Sequence, residues 1–473
     1  MTRQPRCWGL VDKMLHHPIA TVATVAIAAR TVVAAVLNVT DTWSLAPDGG
    51  QYLAVAEAAA DGRLQTFWLG YGESLYWSTW TYSAPLAFLF DVFGPYRALG
   101  QGISVIFGVA TAAITTMIAL RLVRRPYAVG AGLIVALTPS QILWSSVALR
   151  ESTVWVVLAL AGFLLAMATS EDVGYRVVLK TVGLGVCYAA LVSLRSQTAF
   201  LFLWCAAAAI VIGPGKRAVR FGVAMVLLLL MPVSVGRSIG ELEFLNQALS
   251  GLGTVRTYMS MGAESAIVEP TRYFEDSEDS EDSPPPTMKA PSSMSGEVVL
   301  PTVPVSSLGV METDTSGGNP QVLDREVSTS SDGQKFVIDF EGHAVLVQND
   351  LSASVRAFPN GLVAVAVRPV PWEEMGSGKR LAAGVESLLW FPAFVLAAVG
   401  AWVRRRNLAI VVFPALLAAA VMVSGAVTHG NLGTAFRHRG QVLWALAILA
   451  VAAVQHIRDR STAGPLNRRS GTP

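Results

Sequence analysis

Charge is scarce in this chain. Only 14% of its 473 residues are Asp, Glu, Lys or Arg, against about a quarter in an ordinary soluble domain. That excludes a soluble globular fold. Lys and Arg together number 35 and Asp and Glu 33, for a formal net charge of +2, so no basic field is offered to a nucleic acid. Cysteine is rarer still. Cys7, Cys187 and Cys205 are the only three, one near the N-terminus and two inside apolar runs, and they form neither a disulfide framework nor a metal-ligand spacing.

Apolar length is what the chain has instead: 53% of its residues are hydrophobic. The runs fall at 18 to 38, 97 to 120, 127 to 147, 152 to 169, 177 to 194, 198 to 213, 221 to 236, 384 to 403, 408 to 427 and 441 to 456. A run of about 18 residues or more is long enough to cross a bilayer as a helix, and lipid leaves backbone groups no other partner than their own segment. The expectation is an all-α polytopic membrane protein of roughly ten transmembrane helices. It divides into an N-terminal membrane module (1–236) with a first outer loop (39–96), an extracytoplasmic segment (237–383) and a C-terminal membrane module (384–473). Arg3, Arg6 and Lys13 precede the first run like a secretory signal, but its apolar core is too long, so it reads as an uncleaved span.

With the N-terminus inside, the inner segments carry eighteen Lys and Arg, among them Arg121, Arg124, Arg125 and Arg404–Arg406. The short outer loops carry Arg63, Arg150, Arg195, Arg437 and Arg439. This asymmetry places both termini in the cytoplasm. The last four outer arginines sit at predicted span ends, against the trend. Each could snorkel to lipid phosphates or pair with a carboxylate such as Glu151; four on one face also suit a shared anionic ligand.

In the first outer loop Asp48 follows Pro47 and precedes Gly49–Gly50, and Gly62 closes a helical stretch. Asp48 there suits a helix cap or a general base at the membrane edge. A second interfacial helix is expected over Ala84–Phe93, and Trp68, Tyr71, Trp77, Trp80 and Tyr82 suit an aromatic belt or stacking on a sugar ring. Residues 264–333, acidic and rich in Ser and Pro, are expected to be disordered. Lys335–Val347 alternates like a hairpin, and the stretch before Arg368–Pro369–Val370–Pro371–Trp372–Glu373 is too short to cross and should lie at the membrane surface.

Asp48–Gly49–Gly50–Gln51–Tyr52 with Ala56 and Gly62, then Tyr82–Ser83–Ala84–Pro85–Leu86, resembles the first outer loop of the GT-C superfamily of membrane glycosyltransferases. Pro139–Ser140–Gln141–Ile142–Leu143–Trp144–Ser145–Ser146 with Leu149–Arg150–Glu151 is similar to the second outer loop of its bacterial members. Arg368–Glu373 and Gly430–Arg439 also look familiar from bacterial membrane proteins of that type. The resemblance implies an enzyme of the bacterial plasma membrane that moves a sugar from a polyprenyl-phosphate carrier to an acceptor outside. It implies Asp48 as catalytic base with Asp41 as fallback. Arg150, Arg195, Arg437 and Arg439 would hold the phosphate, and His429 or His438 would donate a hydrogen bond or proton. No cofactor is assigned, although the resemblance leaves room for a divalent metal. Many members carry Asp-Glu where this chain has Asp48–Gly49. The rivals are a polymerase of lipid-linked repeat units, which needs outer arginines but not Asp48, and a transporter or non-catalytic component. Against transport stand the lack of paired Gly/Pro-broken spans and of acidic residues deep in the spans.

Overall fold

A computed structural model of the chain describes residues 15–40, 47–65, 71–168, 174–231, 327–329, 335–338, 344–347, 358–359, 361–363, 365–371, 378–428 and 437–462. It groups them into two compact units, one of residues 1–241, 359–426 and 432–473, the other of 242–358 with 427–431.

The first unit is helical. Pro18, whose missing N–H costs nothing in a first turn, opens α1 (Pro18–Val39). After α1, α2 (Pro47–Ala60) carries Asp48 in its first turn, one residue inside the helix rather than at the expected cap, where a carboxylate meets the positive end of the dipole. The expected stop is there. Gly62 sits at φ +67, the Arg63 N–H bonds the Ala58 carbonyl at 2.8 Å and the Gly62 N–H bonds that of Ala59 at 3.2 Å, the paired closure that a left-handed glycine permits. Then come α3 (Tyr71–Ser78) and α4 (Trp80–Phe93), the latter longer than the expected Ala84–Phe93. Tyr82 is buried on α4, whereas Trp77 and Trp80 are exposed. Trp68 lies outside the described residues.

The remaining helices are α5 (Arg97–Ala119), α6 (Arg125–Leu137), the short α7 (Pro139–Trp144), α8 (Glu151–Ala166), α9 (Tyr175–Leu194), α10 (Ser196–Ile212), α11 (Arg217–Leu228), α12 (Gly378–Val403), α13 (Leu408–Thr428) and α14 (Leu443–Thr462). The two stretches expected as separate modules pack together: α14 lies against α12, α6 and α5, and α5 also meets α1 and α8. Helix α14 is buried on every side from Leu443 to Ala453, which explains an apolar pattern with no polar stripe. Backbones come close where the sequence is small: a Cβ at Gly400 would stand 1.8 Å from the Leu449 carbonyl oxygen, so α12 and α14 cross there through glycine alone. Within α5 the buried Thr111, Thr115 and Thr116 return their hydroxyls to carbonyls four residues back, at 2.7–2.9 Å, and so bury no unmet donor.

Large apolar side chains face outward, among them Val32, Val182, Leu389, Phe391 and Trp402, a surface that only lipid solvates well. The chain is a helical membrane protein. Among the described residues five helices are long and apolar enough to cross, at Pro18–Val39, Arg97–Ala119, Tyr175–Leu194, Gly384–Val403 and Leu408–Ala426. The expected ten are not all of that length. Helices α6, α8 and α10 have 13, 16 and 17 residues, about 20, 24 and 26 Å at the usual rise. The run 127–147 is not one span, because Pro139 ends α6 by supplying no N–H.

Of the second unit the described residues are three antiparallel strands, β1 (Val327–Thr329), β2 (Lys335–Ile338) and β3 (Ala344–Val347), in the order β1-β2-β3. Lys335 pairs with Val347 and Ile338 with Ala344, so the hairpin is present. Strand β1 falls inside the stretch expected to be disordered; Val327 and Thr329, both β-branched, favour its pairing on β2. The rest of 264–333 lies outside the described residues.

Candidate anion-binding site

The site is built on the broken helix. Where α6 stops, its last carbonyls lack intrahelical donors, and Arg30 of α1 supplies them. Its Nη2 donates to the Val135 carbonyl at 3.2 Å, Nη1 to that of Ala136 at 3.0 Å, and Nε to Ser145 Oγ at 2.8 Å. Ser146 Oγ in turn donates to the Arg30 carbonyl at 3.0 Å. Gly108 makes room for it, since a Cβ there would stand 2.6 Å from Arg30 Nε. Arg30 is fully buried and was not singled out in the sequence, although an ionisable residue inside an apolar span is itself the signal.

Pinned in this way, 138–150 delivers Trp144 and Arg150 to the start of α8. Three other elements converge there. The chain turns back at Arg195, an extended residue (φ −159, ψ 94) between α9 and α10, and its Nη2 bonds Glu151 Oε1 at 2.7 Å with the two side chains 14% and 6% exposed. Arg437 comes from the turn before α14. Its Nη1 bonds Asp48 Oδ2 at 2.6 Å, with side chains 22% and 46% exposed, and its guanidinium lies 4.7 Å from the centre of the Trp144 ring. Arg150 lies 5.8 Å from the Tyr52 ring centre, and Tyr52 meets Tyr82 edge to face at 5.9 Å.

The electrostatics describe one cluster. Burial pushes the Tyr52 hydroxyl up to about 12, with Arg150 and Arg195 pulling it down and Glu151 and Asp48 pushing it up. Tyr52 therefore remains a neutral donor. Burial lowers the Arg195 guanidinium; Glu151 opposes that shift, while Arg150 and Arg437 add to it. Three guanidiniums thus meet two carboxylates. Arg150 Nε, Arg195 Nε, Glu151 Oε2 and Trp144 Nε1 are buried with no protein partner, a state that protein interiors seldom tolerate without a ligand or water.

The fourth arginine goes elsewhere. Arg439 is fully buried and donates from Nη1 to the Ala366 carbonyl at 3.2 Å and to Ser387 Oγ at 3.3 Å, and from Nη2 to the Arg368 carbonyl. Burial lowers it to about 10, with Glu386 opposing. Glu386, 4% exposed, accepts from the Ser140 backbone N–H at 2.7 Å, from Ser140 Oγ at 2.6 Å and from Trp390 Nε1 at 3.1 Å. It thereby holds the first turn of α7 against α12. Arg439 is therefore corrected from candidate ligand to scaffold, its donors drawn to carbonyls of the segment that precedes Pro369. That segment has helical backbone at 361–363 and 365–367, and Gly361 lies against the Ala426 carbonyl. Sequence reasoning passed over Glu386, which stands at the start of an apolar run.

His438 lies half-buried between Arg437 and Arg439. Asp41 and His429 lie outside the described residues. No group of three His, Cys, Asp or Glu comes together among the described residues. The two carboxylates at the site each face a guanidinium, so this donor set fits an anion and does not fit a divalent cation. Compared with family models, with curated proteins and with solved structures, the chain matches none.

Proposed function

We propose that this chain is a glycosyltransferase of the bacterial plasma membrane, with both termini cytoplasmic, that transfers a sugar from a polyprenyl-phosphate carrier to an acceptor outside the membrane in cell-envelope glycan assembly. The observation that carries it is the gathering of Arg150, Arg195 and Arg437 with Asp48 at the edge of the helical unit. A phosphate that departs from a sugar leaves with negative charge, and guanidiniums placed in advance stabilise that charge as it develops. In the reaction Asp48 takes the proton of the acceptor hydroxyl, the hydroxyl oxygen bonds to the anomeric carbon, and the bond from that carbon to the phosphate oxygen breaks. The carrier phosphate keeps the electron pair.

The Arg437–Asp48 ion pair is the resting form. The arriving phosphate draws Arg437 away and frees Asp48 to act as base, so donor binding arms the acceptor side. Glu151, held by Arg195 and only 6% exposed, keeps that arginine in place rather than reacting. The exposed Trp77 and Trp80 suit the interface where an isoprenoid chain lies.

The test is mass spectrometry of carrier lipids and envelope glycans in a deletion strain carrying the wild-type gene or Asp48→Asn. We expect deletion to accumulate a polyprenyl-phosphate sugar and to lose one glycan, and Asp48→Asn to do the same. Full restoration by Asp48→Asn would remove this reading in favour of a repeat-unit polymerase. An unchanged profile on deletion would remove both.

A further inference from the structure

The acceptors in the arginine cluster are unevenly shared. Glu151 takes Arg195 and Asp48 takes Arg437. Arg150 is left over: among the described residues no acceptor meets its guanidinium, which lies 5.8 Å from the Tyr52 ring centre with Nε buried. Tyr52 is left over too. The buried tyrosines among the described residues are Tyr52, Tyr82 and Tyr188, and the latter two use their hydroxyls, Tyr82 donating to the Gly100 carbonyl at 3.3 Å and Tyr188 to the Leu230 carbonyl at 3.2 Å. The Tyr52 hydroxyl meets no partner among the described residues, although its ring is fixed edge to face on Tyr82. A tyrosine held in a core ordinarily gives its O–H to a neighbour. A guanidinium and a phenol left open side by side therefore suit one ligand that accepts from both.

Tyr52 stands four residues after Asp48 on α2, a spacing that puts the two side chains on one face with their Cβ atoms about 5–6 Å apart. In a displacement at an anomeric carbon the attacking and leaving oxygens lie on opposite sides of one atom. A base for the first and a donor for the second must stand a short step apart, as Asp48 and Tyr52 do. Charge gathers on the leaving oxygen: a phosphate diester with one negative charge departs as a monoester that approaches two, its second pKa lying at about 6. A hydrogen bond aimed there is stronger in the transition state than in the bound donor, which is what lowers a barrier. The phenol keeps its proton throughout, because burial holds it at about 12, well above the leaving phosphate.

Resting on the glycosyltransfer reading, we propose that Tyr52 is a further catalytic residue, its hydroxyl donating a hydrogen bond to the phosphate oxygen that leaves the anomeric carbon while Arg150 holds other oxygens of the same phosphate. As the carbon–oxygen bond breaks, its electron pair goes to that oxygen. The proton of the acceptor hydroxyl goes to Asp48, and Tyr52 gives up none. A site arranged in this way grips the departing carrier phosphate harder than it grips the donor.

The experiment uses the full chain in detergent micelles at pH 8, with undecaprenyl phosphate and its methyl ester as probes, undecaprenol as the uncharged control, and affinity read by microscale thermophoresis. The phosphate carries the charge of the leaving group and the methyl ester that of the donor. Tyr52→Phe keeps the ring on Tyr82 and removes only the O–H, and binding of the methyl ester by the same protein shows that it is folded. We expect the variant to weaken undecaprenyl phosphate about ten-fold, near the lower end for a hydrogen bond to a charged group, and the methyl ester by no more than about two-fold. A loss no greater for undecaprenyl phosphate than for the methyl ester would overturn the role of Tyr52 and leave the glycosyltransfer reading standing. If the wild-type protein binds undecaprenyl phosphate no better than undecaprenol, the lipid-phosphate site itself falls, and the role of Tyr52 with it.

Discussion

Arg437 and Arg439 stand two residues apart and have opposite fates. Arg437 pairs with a carboxylate that is 46% exposed, and an incoming anion can compete for it. Arg439, fully buried, gives its donors to two backbone carbonyls and a serine, which no ligand can replace without unravelling the segment that supplies them. Arg30 is the extreme of the second kind. What separates a ligand-binding arginine from a scaffold arginine is thus the identity of its acceptors: a half-exposed carboxylate, or carbonyls already stranded by the fold.

Substitutions test that division. The largest effect is expected at Asp48: Asp48→Asn should lower sugar transfer about 10²- to 10⁴-fold, the usual worth of a general base, with the melting temperature unchanged, and activity and melting are measured on the same sample. Arg439→Met should do the reverse, costing about 1–3 kcal/mol of stability for each buried carbonyl, of Ala366 and Arg368, left without its donor. Thermal unfolding in detergent reads that loss, and a protein that melts normally but loses carrier binding would move Arg439 back to the ligand side. Arg150→Gln should cost about 1.5–3 kcal/mol, the range for a hydrogen bond to a charged group, seen as a lower kcat/KM with kcat falling as well, because the phosphate gains charge as it departs. Smallest is Trp144→Leu, which removes the ring beneath Arg437 and should cost about 0.5–1 kcal/mol, seen in KM alone.

The sequence made some of this legible and hid the rest for physical reasons. Outer arginines against the charge trend, and an Asp between Pro47 and Gly49, pointed to residues that do come together. The stop at Gly62 and the hairpin at 335–347 were legible because turn chemistry is local. The fate of Arg439 was not, because its acceptors lie some seventy residues earlier in the chain and become acceptors only once 365–368 packs beneath it. The broken span at 127–147 was legible in principle: Pro139 stood in the middle of the run, and apolar length outweighed it. Arg30 and Glu386 carried the signal of an ionisable residue in an apolar stretch, but their partners lie 105 and 246 residues away in the chain and nothing local announces them.

The Arg30 contacts also bear on biogenesis. Val135 and Ala136 are more than a hundred residues downstream of Arg30, so the ribosome delivers α1 to the insertion machinery well before those carbonyls exist. A lone guanidinium near the centre of a helix raises the cost of insertion by about 2.5–3.5 kcal/mol. The apolar remainder of α1 has to offset that cost alone until α6 is in place, after which the Val135 and Ala136 carbonyls share it.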